Sequence, residues 1–328
     1  MQAAPRLSGR FDLDDPAGPR FAWAGSAIVA RFTGTAVTIR LRGSSDYFAV
    51  TLDGAALPVL AAKPLEERYP LATGLTAGAH DLVVVKRTEP LVSEAQLLGL
   101  ELAPGGQLLP PPPAPERRIE FVGDSVTAGF GILGRDETCP FSPDTEDFTL
   151  SFAALTAGAL GAEPVAVAWS GRGICRNYAD EPGDPMLLLY ERTLPARAES
   201  RWDFRRWVPD VVVINLGTND FSLGVSPGER FSEAYAALVR RIHEVYERAC
   251  VVCCVGPMLD GAVLAEARAR VARVVEDASA AGVARIGTIE FPPQSPLNGY
   301  GCDGHPSAAT HRLMAAQLTA AVREAAGW

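Results

Sequence analysis

At 328 residues the chain exceeds a typical single domain, and its 48% apolar content is ample for hydrophobic cores and far from the composition of disorder. A formal charge of −9 disfavours nucleic acid and anionic membranes as partners. No apolar run approaches the ~20 residues of a spanning helix, and the opening "MQAAPRLSGRFDLDDPAGPR" lacks an apolar stretch after a basic start, so it does not read as a secretory signal and the expected location is cytosolic.

The first hundred residues have period two. In "AVTIRLRG" the apolar Val37, Ile39 and Leu41 alternate with Thr38, Arg40 and Arg42. In "DYFAVTLDGAALPVL" Phe48, Val50 and Leu52 share a face, and Asp53-Gly54 is a strong hairpin signal. "AHDLVVVKR" adds a further strand. Short strands with Gly-rich turns and little helical periodicity predict an all-β sandwich over residues 1–108. The run "APGGQLLPPPPAPERR" follows. Consecutive prolines favour an extended spacer, which places a linker at 109–117 and a second domain at 118–328.

Beyond the linker the rhythm changes. "RRIEFVG", "EPVAVAWSG", "PDVVVINLG", "CVVCCVGP" and "ARIGTIEF" are short Val- and Ile-rich runs. Between them lie amphipathic stretches such as "GERFSEAYAALVRRIHEVYERA" and "GAVLAEARARVARVVEDASAAG". Continuous apolar strands alternating with helices predict an α/β domain, a parallel sheet covered on both faces. Such sheets carry their chemistry at the carboxyl ends of the strands.

Six cysteines are too few and too scattered for a disulfide framework. Cys253 and Cys254 read as small buried hydrophobes of a strand. Cys139, Cys175 and Cys302 fall in loops on the expected catalytic side, where a pair could bridge under oxidising conditions, with the pairing left open. Four histidines and no CxxC pair make a structural zinc unexpected.

The strand ends hold a consistent chemical set. Ser125 directly follows "IEFVGD"; Ser170, Gly171 and Gly173 follow "VAVAW"; Asn219 and Asp220 follow "VVVINLGT"; Asp303 and His305 stand in "GYGCDGHPS" before the last helix. A serine hydroxyl attacks only when a base takes its proton, and His305 is the candidate base. Asp303 could accept from the other ring nitrogen and fix the tautomer. The backbone N–H of Ser125, a glycine N–H after the second strand and the Asn219 amide could stabilise an oxyanion. Asp124 and Asp220 read as loop-ordering residues. Trp169, Tyr178 and Tyr300 could stack on a sugar or shape an acyl pocket, although core packing is the commoner fate of such aromatics. His80, His243 and His311 fall on a hairpin turn and on two helices, where structural roles suffice.

Taken in order, "GDS", the post-strand glycine, "GTND" and "DGHPS" resemble the blocks of the SGNH (GDSL-type) hydrolases, over most of residues 119–328. The resemblance implies a flavodoxin-like three-layer domain. It makes Ser125 the nucleophile, Gly171 (or alternatively Gly173) and Asn219 the oxyanion donors, and Asp303 and His305 the rest of the triad. The shortened Asp303-Gly304-His305 spacing, the "SGRGICRN" stretch and a sandwich ahead of the hydrolase domain resemble carbohydrate esterase family 2. That likeness implies a jelly-roll domain joined to an SGNH domain, acetylated sugars or oligosaccharides as substrate, no cofactor and no metal. It also implies secretion, against the reading of the N-terminus. Some members of that family hold the histidine with a backbone carbonyl. Two other functions fit the same residues: a lipase or thioesterase acting on longer acyl chains, and a carbohydrate-binding protein with an inactive hydrolase domain. The oligomeric state is not legible. A decoy, "GVSPG" at residues 224–228, has no strand running into Ser226 and reads instead as a helix start, with Ser226 as N-cap and Glu229 completing a capping box.

Overall fold

The computed structural model describes residues 3–328. The chain divides into two compact units, one comprising residues 1–114 together with Thr193–Ser200, the other Pro115–Arg192 and Arg201–Trp328. The returning segment is absent from the division expected from the sequence. It is fastened by the Arg197 guanidinium, which makes two hydrogen bonds to the Glu94 carboxylate at 2.6 and 3.1 Å. Nothing in the composition of "TLPARAES" foretells that contact across a hundred residues.

The first unit is an antiparallel β-sandwich. Its larger sheet is built on Ala27–Thr33, Tyr47–Leu52 and Ala79–Lys86, and its smaller sheet on Ala36–Arg42, Arg68–Thr73 and Ala95–Leu102. The alternation read from the sequence is the alternation of burial. Val37, Ile39 and Leu41 face inward on one sheet, Phe48, Val50 and Leu52 on the other, and all belong to one core. Each such side chain contributes roughly 1.5–3 kcal/mol when fully buried. Leu52 pairs with Ala55 across Asp53-Gly54, and both turn residues have positive φ (51° and 79°), which suits a two-residue hairpin turn. Strand Gln107–Leu109 pairs with Ala27–Thr33, so the sandwich runs one residue past the expected boundary.

The second unit is a five-stranded parallel sheet flanked by helices. Its strands are β1 (Arg117–Gly123), β2 (Ala162–Ala168), β3 (Val211–Asn215), β4 (Cys250–Val255) and β5 (Ile286–Glu290), in the spatial order β2-β1-β3-β4-β5. The helices are α1 (Ser125–Ala128), α2 (Phe152–Leu160), α3 (Met186–Leu189), α4 (Glu229–Val245), α5 (Gly261–Ala280) and α6 (Ala308–Ala326). Every residue of β3 and β4 is buried, because central strands of a covered sheet have no solvent face. Helix α4 buries Phe231, Tyr235, Leu238, Val239 and Ile242, a single stripe at helical spacing. Helices α4 and α5 pack together, as do α2 and α6. Strand order reverses at β1, so right-handed crossovers put α2 on the face opposite α4 and α5. The crevice at that reversal lies where β1 and β3 end, at Gly123 and Asn215.

One local expectation is corrected. Helix α4 starts at Glu229 with Gly228 as its N-cap (φ 67°), and the Ser226 hydroxyl accepts from the Gly228 N–H at 3.0 Å. Ser226 thus closes a turn one step before the helix. It remains far in character from a nucleophile elbow, since β3 ended at Asn215.

Candidate active site

Ser125 is the first residue of α1, immediately beyond β1. Asp124 caps that helix by accepting from the Val126 N–H at 3.0 Å, and Gly129 ends it in the left-handed region at φ 83°. The strand, the cap and the early stop leave the Ser125 side chain at the sheet's carboxyl edge, with 4% of its surface exposed. His305 reaches the same point from the loop before α6. Its Nε2 lies 2.9 Å from the Ser125 Oγ across 180 residues of sequence.

The other ring nitrogen has different company from that expected. Nδ1 of His305 is buried without a hydrogen-bond partner among the described residues. The Asp303 carboxylate instead accepts from the Phe141 N–H at 3.0 Å, and Asp303 itself is exposed and held at φ 51°. With the Asp303 carboxylate engaged by Phe141, the expected carboxylate–imidazole hydrogen bond is not formed. The backbone carbonyls of Asp303 and Cys302 lie close enough to favour the protonated ring, though neither makes a well-formed hydrogen bond to it. Burial outweighs them, and the His305 pKa falls below its ordinary value of 6.5.

Ring contacts confine the imidazole. The Phe130 ring is tilted against His305 with centroids 4.3 Å apart, and Phe141 stacks on Phe130 at 3.9 Å and 11°. A disulfide joins Cys139 to Cys302 in the same two loops. Neither phenylalanine was legible as a site residue, because no sequence signal marks a ring that meets a loop so distant in the chain.

The two glycines after β2 differ. The Gly173 N–H faces the Asn177 Oδ1 at 3.4 Å, and a side chain at Gly173 would collide with the Arg176 carbonyl and the Asp220 carboxylate. Gly171 sits in a left-handed turn at φ 77°, and its N–H has no acceptor among the described residues. Gly173 is therefore a close-packing glycine, and Gly171 is the one with a donor to offer. The Asn219 amide donates to the Arg172 carbonyl at 3.1 Å and to Asp124 Oδ2 at 3.3 Å. Asp220 orders the loop, accepting from the N–H groups of Ile174, Cys175 and Arg176, each at 2.9 Å.

Of the three aromatics, Tyr178 is 54% exposed and its N–H donates to the Gly171 carbonyl at 2.8 Å. Trp169 is half-buried, with the Arg172 guanidinium 5.2 Å from its ring. Tyr300 is half-buried and forms a bridge with Pro306 beside His305. His311 is buried in α6, accepts from the Phe152 N–H at 3.0 Å through Nδ1 and has its pKa pushed down to about 3 by burial, a structural part. Burial likewise pushes the Cys175 thiol up to about 12, which leaves it inert as a nucleophile.

Comparison with known proteins decides the kinship. Residues 7–112 match the carbohydrate esterase 2 N-terminal family, and residues 121–313 match the GDSL-like lipase/acylhydrolase family. The acetylxylan esterase / glucomannan deacetylase of Cellvibrio japonicus is 30% identical over 98% of this chain and 91% of its own length. The chain belongs to carbohydrate esterase family 2. Within the family it is 42% identical, over 98% of its length, to the cellulase/esterase CelE of Acetivibrio thermocellus, of which it spans only 39%. A solved structure of a family two carbohydrate esterase from Clostridium thermocellum in complex with cellohexaose superposes with a TM-score of 0.96 at 42% identity. That match covers 99% of this chain and 100% of the other.

Proposed function

We propose that this family 2 chain is a serine esterase that removes O-acetyl groups from acetylated sugars or oligosaccharides. The observation that carries the reading is the 2.9 Å approach of the His305 Nε2 to the Ser125 Oγ at the sheet's switch point. The names of its relatives, and the oligosaccharide bound to one of them, support sugar esters over lipids.

The chemistry follows from the groups present. His305 takes the Ser125 proton as Oγ attacks the acetyl carbonyl, and a tetrahedral oxyanion forms. The N–H groups of Ser125 and Gly171 are the donors free to meet it, and Asn219 joins them by turning one amide hydrogen from Asp124 or Arg172. Each donor of this kind is worth ~10²–10³ in turnover. His305 then protonates the sugar oxygen as it leaves the acetyl-Ser125 intermediate. Water, deprotonated by the same imidazole, attacks that ester, and the Ser125 Oγ leaves with the proton returned to it as acetate is released. Tyr178, the exposed aromatic beside Gly171, offers a face for the sugar ring, and Trp169 borders the same turn. The chain works where its disulfide survives, in an oxidising compartment, which favours an exported enzyme over the cytosolic expectation.

Acetate release across acetylated xylo-, gluco- and manno-oligosaccharides, beside a series of activated esters of growing acyl length, tests the reading. Acetyl esters are expected to turn over fastest, and Ser125→Ala is expected to abolish release while leaving the fold intact. Preference for long acyl chains, or sugar binding with no turnover of any ester, would replace this function by another.

A further inference from the structure

The loop after Ser125 and the loop bearing His305 are stitched together by contacts the reaction itself does not use. Cys139 and Cys302 are bonded with their Cα atoms 4.7 Å apart. Around that bond the Cys302 N–H donates to the Gly131 carbonyl and the Asp303 N–H to the Cys139 carbonyl, both at 2.9 Å. Gly134 is tight against the bridge, since a Cβ there would lie 2.8 Å from the Cys139 Sγ. The Asp303 carboxylate then holds the Phe141 N–H, Phe141 lies flat on Phe130, and Phe130 borders the His305 ring. No well-formed hydrogen bond holds Nδ1, although the Asp303 and Cys302 carbonyls lie near the ring, so the orientation of the imidazole also depends on what packs against it. Here the packing is supplied by that ring pair.

We propose that Phe130 and Phe141, clamped by the Cys139–Cys302 disulfide and by the Asp303 carboxylate on the Phe141 amide, position His305 against Ser125 in place of a carboxylate on the imidazole. The inference rests on the Ser125–His305 reading and deepens it. Asp303 is a positioning residue acting through Phe141, and turnover depends on the redox state of the bridge. A dithiol reductant supplies two electrons and two protons to the S–S bond. It leaves two thiols and becomes a disulfide itself.

The test measures kcat and KM separately on an activated acetyl ester. It uses oxidised and dithiol-reduced wild type and the variants Phe130→Leu, Phe130→Tyr, Asp303→Ala and Asp303→Asn. Thiol titration follows the bridge, and circular dichroism checks each fold. Reduction, Phe130→Leu and Asp303→Ala are each expected to lower kcat by roughly 10–10²-fold, the cost of a small misplacement, with KM little changed. Phe130→Tyr restores the ring and the rate. Asp303→Asn keeps an acceptor for the Phe141 N–H and retains most of kcat, where Asn in place of a triad carboxylate would cost ~10⁴-fold. If Asp303→Asn falls as far as Asp303→Ala, the carboxylate acts by its charge on the imidazole and the proposal is wrong. It is equally wrong if fully reduced, folded enzyme turns over at the oxidised rate, a result that stands even if Phe130→Leu fails to fold. Absence of hydrolysis by oxidised wild type would instead remove the esterase reading, so the two failures are distinct.

Discussion

A neutral imidazole can take the Ser125 proton only if its lone pair is on Nε2, so the hydrogen must be on Nδ1. The neighbouring carbonyls of Asp303 and Cys302 favour that tautomer. Burial holds the His305 pKa below 6.5, which keeps the ring neutral further into acid than an exposed histidine. The acid limb of kcat/KM, which reports the free enzyme, is therefore expected to have its midpoint below pH 6.5. A midpoint above that value, measured with an activated ester, would mean that the imidazolium is stabilised and that a carboxylate does reach it. At this scale the sequence was a good guide to which residues meet and a poor one to how they point. Ser125 and His305 were legible because each follows from a strand or helix terminus whose place in the sheet is dictated by the apolar pattern. The direction of the Asp303 side chain was not, because a two-residue spacing says nothing of the left-handed backbone that turns it toward Phe141.

Strands and helices set the environment in which those side chains act. In the sandwich, His80 joins two elements: its Nδ1 lies 2.6 Å from the Asp53 carboxylate in the hairpin turn, and its Nε2 lies 2.9 Å from the Thr76 carbonyl. Both neighbours are acceptors, so the ring is best satisfied when doubly protonated, and its pKa is raised by the Asp53 hydrogen bond first and the Thr76 carbonyl second. A raised histidine pKa contributes stability that is fully present below 6.5 and is lost as pH climbs through the folded value. The same hydrogen bond lowers the Asp53 pKa, so that carboxylate's contribution is present above 3.8 and lost as pH falls. His80→Gln is accordingly expected to destabilise the protein more at about pH 5.5 than at about pH 8. Equal losses in thermal unfolding at both would show that the ring is held neutral. Strand periodicity predicted this hairpin well, since Asp53-Gly54 is a turn by its own backbone preference. It could not predict the cross-turn ion pair, which depends on the register of Tyr47–Leu52 against Ala79–Lys86.

Across the whole chain, order comes from contacts between distant segments. The Cys139–Cys302 bridge spans 163 residues and ties the loop after β1 to the loop before α6, enclosing most of the second unit. In the chain-entropy account, closing so long a loop stabilises the native state by roughly 5 kcal/mol, and measured values often fall short. Replacing both cysteines by serine is expected to lower the denaturant midpoint clearly, and an unchanged midpoint would show that the unfolded chain is already constrained there. The sequence placed both cysteines on the catalytic side yet left three possible pairs, because pairing needs three-dimensional distance. It likewise missed the return of Thr193–Ser200 to the first unit. Linkers announce themselves by composition; a short excursion in which Arg197 reaches Glu94 does not.

The account's central claim is that an acetyl group passes through the Ser125 oxygen. Rapid acid quenching during turnover of an activated acetyl ester, followed by digestion and mass analysis, measures this directly. The predicted result is one acetyl group on the peptide containing Ser125, appearing before steady-state acetate and absent when Ser125 is replaced by alanine. Steady acetate release at the wild-type rate by the alanine variant, or an acetyl group found on another side chain, would contradict it.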